Sequence, residues 1–120
     1  MFAAKAGADP ARVRQALMGG FASSKILEVH GERMIKRTFN PGFRIELHQK
    51  DLNLALSTAR TLGVSLPNTA TAQELFNSCA AHDGKGWDYS AMVKALEKLA
   101  NFEIGQSPQR QTHSLHAAVG

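Results

Sequence analysis

The sequence predicts an all-α domain of about five or six helices. Apolar residues recur at helical spacing along most of its 120 residues, and no alternating β pattern of useful length occurs. Capping and turn residues separate these stretches into pieces of ordinary helical length. With 43% hydrophobic and 20% charged residues, the composition is that of one globular domain. We expect a helical bundle in residues 1–104 and a flexible tail in residues 105–120, which are polar and aperiodic.

The first third of the chain predicts three helices. Residues 2–5 begin directly with helix formers and no N-cap, so we expect the end of a helix that has lost its beginning. Asp9 as N-cap and Pro10 at the first helical position begin the second helix, which two glycines end at residues 19–20. A third helix should begin near Ser24. Its inward residues are predicted to be Ile26, Leu27, His30, Met34 and Ile35.

The central helix should follow the turn at residues 40–42, whose sequence is Asn-Pro-Gly. It is predicted to run from about Phe43 to Leu62 and to end at Gly63. One apolar stripe of helical spacing marks it as a core helix. The stripe consists of Ile45, Leu52, Leu56, Ala59 and Leu62.

Two more helices are predicted after the central one. Pro67 begins the first, and Thr71 with Glu74 has the spacing of a capping box. Asp88 should cap the last helix, which follows the glycine-containing turn at residues 83–86. The inward residues of these two helices are predicted to be Ala72, Leu75, Phe76 and Cys79, then Met92, Leu96 and Leu99.

A second stripe on the central helix places an adjacent lysine and aspartate among apolar neighbours. It consists of Phe43, Leu47, Lys50, Asp51 and Leu54. One explanation of these charges is a solvated face, along which a lysine stem reaches water. Alternatively, Lys50 and Asp51 face a cleft and contact a ligand as cationic donor and acceptor. Periodicity leaves both interpretations open.

Composition and motifs exclude several classes of protein. The net charge of +4 comes from scattered basic residues, so we expect no nucleic-acid partner. The lone Cys79 indicates a small core residue and a reducing, cytoplasmic compartment. We expect no secretory signal, no membrane span and no metal site, because the necessary apolar runs and ligand spacings do not occur. No glycine-rich dinucleotide fingerprint or P-loop is present.

Six short motifs occur in an order that resembles a known family. Among them are Phe-Asn-Pro-Gly-Phe at residues 39–43, Leu-His-Gln-Lys-Asp-Leu-Asn-Leu-Ala at 47–55 and Leu-Pro-Asn-Thr-Ala at 66–70. The others lie at residues 6–10, 19–24 and 30–34. Together they resemble the C-terminal helical domain of the β-hydroxyacid dehydrogenases, within the 6-phosphogluconate dehydrogenase-like superfamily. The resemblance covers residues 1 to about 105, and it is strongest to the branch that reduces tartronate semialdehyde, or 2-hydroxy-3-oxopropionate.

The resemblance implies a two-domain oxidoreductase that reduces a small hydroxy-oxo acid with NADH or NADPH. An N-terminal Rossmann domain would hold the dinucleotide, and the helical domain would close the cleft and contribute to a homodimer interface. The residue matches imply that Lys50 contacts the cofactor, and that Asp51 and Phe43 contact the substrate. The family's catalytic lysine and cofactor fingerprint match nothing in these 120 residues. We therefore expect no catalytic residue, no bound cofactor and no dehydrogenase activity in this chain alone.

Two other functions stay open at this point. The chain could be a stand-alone helical homo-oligomerisation module from a truncated gene. It could also be a small basic protein that binds nucleic acid, which salt-dependent retention on DNA would reveal.

Overall fold

A computed structural model describes residues 1–106 of the chain, and in this range it contains six α-helices, one short 3-10 helix and no strand. The predicted all-α class is therefore confirmed. From residue 107 onward, the predicted tail lies outside the described residues. The α-helices are α1 (Phe2–Lys5), α2 (Pro10–Met18), α3 (Lys25–Lys36), α4 (Ile45–Leu62), α5 (Pro67–Ala81) and α6 (Val93–Ala100), with the 3-10 helix at Tyr89–Met92.

The chain divides into two compact units. Unit 1 comprises Met1–Thr38 and the described residues from Glu97 on, and unit 2 comprises Phe39–Leu96. Within unit 1, α2 packs against α3 and contacts α1. Within unit 2, α4 packs along α5, and both contact the 3-10 helix. No helix in the described part of the chain combines the length and apolar character that a membrane crossing requires.

Several predicted helix ends are confirmed by their hydrogen bonds. The Asp9 carboxylate accepts a bond from the amide of Ala11, one residue beyond Pro10 at the start of α2. The Ser24 hydroxyl accepts a bond of 2.9 Å from the amide of Leu27 at the start of α3. Gly63 ends α4 with φ of +70°, a left-handed conformation that glycine adopts without steric cost. These ends follow from local chemistry, which explains why the sequence reveals them.

Unit 2 contains the main hydrophobic cluster. Its buried residues come from α4, α5, the 3-10 helix and α6, and they are Ile45, Phe76, Cys79, Ala91 and Ala95. Partly buried residues, including Leu52, Leu75 and Trp87, pack against this cluster. Cys79 is buried in this cluster, as the sequence predicts. The cluster fixes one face of α4 and leaves its opposite side exposed.

The buried carboxylate of Glu97 connects separate segments of unit 1. The Glu97 side chain is only 6% exposed and accepts two hydrogen bonds, of 2.8 and 3.1 Å, from the guanidinium of Arg37. Its carboxylate also accepts a bond of 2.6 Å from the amide of Ile104. The bond to Glu97 is the chief cause that raises the pKa of Arg37 above its ordinary value, against the opposing effect of burial. The ion pair thus joins the end of α3, α6 and the segment after α6.

Four predicted inward positions are wrong, because their side chains are exposed. The exposed fractions are 59% at Ile26, 70% at Leu62, 36% at Leu96 and 79% at Leu99. Periodicity identifies an apolar stripe, but it does not show whether another element covers each turn of it. The 3-10 helix before α6 has about three residues per turn, which changes which side chains of α6 face inward. Ala91 of the 3-10 helix and Ala95 of α6 are buried instead.

The predicted capping box at Thr71 and Glu74 is also wrong. Thr71 lies inside α5, where its hydroxyl donates a bond of 3.1 Å to the carbonyl of Pro67. Pro67 already occupies the first turn of α5, so the helix begins four residues before the supposed cap.

Candidate functional site

The N-terminus of α4 is attached to the turn that precedes the 3-10 helix. The amide of Ile45 donates a bond of 2.9 Å to the carbonyl of Trp87, and that of Glu46 donates one of 3.1 Å to the carbonyl of Lys85. The first amides of a helix have no partner inside it, so these carbonyls replace a side-chain cap. The start of α4 is therefore fixed by residues about 40 positions later in the chain.

Asp88 fixes the loop before α4 from the same turn. Its side chain is fully buried, and its Oδ1 accepts bonds of 2.9 Å from the amide of Gly42 and 3.2 Å from that of Phe43. Its Oδ2 accepts bonds from the amide and the hydroxyl of Ser90. The amide of Asp88 in turn donates a bond of 3.0 Å to the carbonyl of Phe39. One residue thus caps the 3-10 helix and holds the loop at residues 39–43.

These hydrogen bonds keep Asp88 ionised. Burial raises the pKa of the carboxyl, but bonds from the Ser90 hydroxyl and from the amides of Ser90, Phe43 and Gly42 outweigh that effect. The net result is a pKa below the ordinary value for aspartate.

The ring of Phe43 belongs to an aromatic group beside this loop. Its centroid lies 5.4 Å from the ring of Tyr89 and 6.0 Å from that of His48, both in edge-to-face geometry. His48 also lies edge-on to Tyr89 and to Phe76, at 5.3 and 5.0 Å. Such contacts add orientation to apolar burial. Phe43 as a whole residue is half-buried.

Lys50 and Asp51 lie on the exposed side of α4, two turns after Phe43. Within residues 1–106, neither side chain forms an ion pair or a hydrogen bond. Leu54 follows Lys50 by one turn on the same face and is 61% exposed. The structure therefore brings the lysine, the aspartate and an apolar surface onto one accessible helix face, as the second stripe predicts.

The opposite flank of α4 is held to α5 by Gln73, which is only 5% exposed. Its Nε2 donates bonds of 3.1 Å to the carbonyl of Gln49 and 2.6 Å to Oδ1 of Asn53. Gln49 and Asn53 flank Lys50 on the helix, so these bonds fix the rotation of α4 about its axis at that position. The sequence offers no signal for this role, because a glutamine in a helix is ordinarily exposed.

The exposed face of α4 and the loop before it present three chemically different groups. Lys50 offers a cationic donor, Asp51 an anionic acceptor and Phe43 an apolar surface. Within the described residues, no group of histidine, cysteine, aspartate or glutamate side chains could hold a metal ion.

Comparison with known proteins identifies the family. Residues 1–96 match the family model described as the NAD-binding part of NADP-dependent 3-hydroxyisobutyrate dehydrogenase. The chain belongs to this dehydrogenase family. It is 73% identical over 104 residues to 2-hydroxy-3-oxopropionate reductase of Escherichia coli, an alignment that covers 87% of the chain and 36% of the relative. The resemblance inferred from the motifs is therefore confirmed.

Two further relatives show how widely the family extends. A probable 3-hydroxyisobutyrate dehydrogenase-like protein of Arabidopsis thaliana is 36% identical over 107 residues, which cover 89% of this chain and 32% of that protein. The crystal structure of 3-hydroxyisobutyrate dehydrogenase from Salmonella typhimurium is similar, with a TM-score of 0.74 and 26% identity, over 78% of this chain and 33% of that one. The chain thus spans about a third of the length of the relatives it matches.

This dehydrogenase family depends on NAD(P), and its members are oxidoreductases. The structure places the three predicted site residues of this member on one element and the loop before it: Phe43 at the start, then Lys50 and Asp51. Sequence reasoning missed the contacts that hold Phe43, which come from Tyr89 and from a second role of Asp88. An Asp-x-Ser sequence signals a local cap, but nothing in it indicates a partner loop more than 40 residues away.

Proposed function

We propose that this chain is the C-terminal helical domain of an NAD(P)-dependent reductase that acts on 2-hydroxy-3-oxopropionate. The observation that supports this most strongly is the exposed Lys50 and Asp51 pair, which has no partner within residues 1–106 and lies in a segment 73% identical to such a reductase. An exposed lysine can donate hydrogen bonds to a ligand, and an exposed aspartate can accept them. The domain would form one wall of the substrate cleft.

In this proposal each site residue has a binding role. Lys50 donates to an anionic part of NADH or NADPH, Asp51 accepts from a substrate hydroxyl, and the ring of Phe43 excludes water from that side. When bound, the dinucleotide supplies the hydride that reduces the aldehyde carbon. The carbonyl oxygen takes its proton from a lysine that the family resemblance places outside these 120 residues.

The described residues fit an edge of the cofactor and not a complete dinucleotide site. Lys50 provides a cation suited to a phosphate group, but residues 1–106 contain no strand followed by a glycine-rich loop. We therefore propose that the chain alone binds no dinucleotide firmly and reduces no substrate. A Rossmann domain would complete the site, and the complete enzyme would work in the cytoplasm.

Joining the full chain to a cofactor domain tests this function. The 120-residue chain would replace the matching segment of the E. coli reductase, and oxidation of NADH or NADPH would be followed with tartronate semialdehyde as substrate. We expect activity from the joined enzyme and none from the chain alone. A folded joined enzyme that binds cofactor but reduces no substrate would refute the proposal.

Substitution of Lys50 in the joined enzyme tests the role of the site. Lys50→Met should raise the KM for the dinucleotide about tenfold, because a charge-assisted hydrogen bond contributes about 1.5–3 kcal/mol. Lys98→Met is the matched control, since Lys98 is an exposed lysine on α6. An equal effect from both variants, or none from Lys50→Met, would count against cofactor contact by Lys50.

A second proposal is that the domain also forms a homo-oligomer interface. It is supported by a shallow apolar groove of about 420 Å³ along the last half of α4, lined by residues that include Leu54, Leu62 and Val64. These three side chains are 61%, 70% and 52% exposed. Exposed apolar patches of this kind mark interaction sites.

Sedimentation of the full chain tests the second proposal. Leu62→Glu should shift the chain toward monomer, whereas Leu99→Glu, at an equally exposed leucine outside the groove, should leave its mass unchanged. A monomeric parent chain at high concentration would refute the interface.

A further inference from the structure

The backbone of Phe43 is held on both sides by residues of one short segment. Its amide donates to Oδ1 of Asp88 at 3.2 Å, and its carbonyl accepts a bond of 2.8 Å from the amide of Tyr89. The Tyr89 ring then lies 5.4 Å from the Phe43 ring. Three separate contacts therefore set the position of Phe43: one at its nitrogen, one at its oxygen and one at its ring.

The buried carboxylate holds a loop that lies at the surface. Gly42 is exposed and Phe43 half-buried, yet both of their amides donate to the fully buried Asp88 side chain. Capping the 3-10 helix needs only Oδ2 of Asp88, which bonds to Ser90. Burying a whole carboxylate is costly, and here its second oxygen is used only to hold the loop at residues 42–43. The buried carboxylate therefore fixes the position of this surface loop.

The geometry continues from this loop to the charged pair. α4 begins two residues after Phe43, and its first amides bond to Lys85 and Trp87, which immediately precede Asp88. The same turn therefore fixes the Phe43 loop and the helix that carries Lys50 and Asp51. A change at Asp88 releases the loop without removing the carbonyls that hold the helix.

We propose that Asp88 is a positioning residue for substrate binding. It holds Phe43 at a fixed position relative to Asp51 on α4. This inference rests on the proposed function, in which Phe43 and Asp51 contact the substrate. It predicts that loss of the Asp88 carboxylate weakens substrate binding selectively, while the contact of Lys50 with the cofactor persists.

Asp88→Asn is the sharpest variant, because it keeps the side-chain volume and replaces one acceptor oxygen with an NH2 donor. That donor must face either the Gly42 and Phe43 amides or Ser90, all of which are donors at this site. The matched control is Glu97→Gln, which makes the same chemical change at the other buried carboxylate, in unit 1.

The first measurement is amide hydrogen exchange in the full 120-residue chain. In Asp88→Asn, the amides of Gly42 and Phe43 should exchange at least tenfold faster, while the core amides of Cys79 and Ala95 keep their protection. Glu97→Gln should leave Gly42 and Phe43 unchanged. Unchanged exchange at both amides in a folded Asp88→Asn chain would overturn the inference, as would equal acceleration in the two variants.

The second measurement uses the joined enzyme of the preceding section. Asp88→Asn should raise the KM for the hydroxy-oxo acid about tenfold or more, with a smaller change in kcat and no change in the KM for NADPH. A purely structural role would alter all three constants together or none, and either result would overturn the inference. An inactive parent enzyme would refute the proposed function itself, so the two failures are distinguishable.

Discussion

Each of the two compact units buries a carboxylate, and the two are stabilised by different kinds of donor. In unit 1, Glu97 meets the guanidinium of Arg37 in a two-bond ion pair. In unit 2, Asp88 accepts from the amides of Gly42 and Phe43 and from Ser90. An ion pair joins two side chains, whereas amide donors fix the backbone itself. Glu97 also accepts one bond from the amide of Ile104, but Asp88 is the carboxylate that binds the loop next to the proposed site.

The units also place their cations differently. Arg37 of unit 1 lies against carboxylates, since it contacts Glu103 at 3.2 Å in addition to Glu97. Lys94 of unit 2 lies over aromatic faces, 4.0 Å from the ring centroid of Trp87 and 5.0 Å from that of Phe39. Asp88 and Lys94 of unit 2 are thus surrounded by backbone and rings, so we expect close packing around Trp87 to tolerate changes of shape poorly.

Substitution of one glycine in each unit should give the largest contrast. A Cβ at Gly84 would collide with the Trp87 ring and lie 2.6 Å from the carbonyl oxygen of Cys79, so Gly84→Ala should destabilise the chain by about 3 kcal/mol. A Cβ at Gly31 would lie 3.2 Å from the flexible Arg14 side chain, and alanine favours the helix, so Gly31→Ala should change stability by less than about 1 kcal/mol. Urea unfolding measures both, and similar values would remove the contrast.

Removal of the Arg37 guanidinium should have the next largest effect. Arg37→Ala leaves Glu97 buried without its cation, which should destabilise the chain by about 2–3 kcal/mol. The loss should be smaller than for a fully buried pair, because the arginine side chain is partly exposed. Arg37 also has a left-handed backbone with φ of +56°. Arg37→Gly removes the same charge but relieves that strain, so it should be about 1 kcal/mol less destabilising than Arg37→Ala. Equal losses from the two variants would show that the backbone conformation costs nothing.

Acid should distinguish Asp88 from an exposed aspartate. Because its folded pKa lies below the ordinary value of 3.8, the Asp88 carboxylate stabilises the fold above that value, and this contribution is lost as the pH falls through the folded pKa. The stability difference between the parent chain and Asp88→Asn should therefore be constant near neutral pH and shrink below about pH 4. Unfolding at a series of pH values measures it, with Asp51→Asn as the control for net charge. A difference that grows in acid would contradict the stated direction.

The smallest effect should come from Lys94. Lys94→Ala removes a cation over the Trp87 face, an interaction of about 0.5–1 kcal/mol, and it should alter the fluorescence of the chain's single tryptophan. Lys98→Ala, at an exposed lysine of the neighbouring helix turn, should change neither the stability nor the emission. Identical emission in the two variants would argue against the cation–π contact.

Local chemistry explains which parts of the fold were predictable. Asp9, Ser24 and Gly63 act on their own helix ends, so their residue types suffice to locate α2, α3 and the end of α4. Leu62 and Leu99 were misplaced because burial depends on what covers a helix turn. That information lies in other segments of the chain.

The candidate site was likewise predictable only where local sequence determines it. Helical spacing brought Lys50 and Asp51 onto one face of α4, and the motif around them indicated the dehydrogenase family to which the chain belongs. Whether that face was solvated or functional was left open by periodicity alone. The sequence by itself determined the all-α class, the helix ends with a local cap, and the family. Only the tertiary structure decided that the buried Asp88 holds the loop of Phe43, because a carboxylate does not specify in sequence which distant amides it will meet.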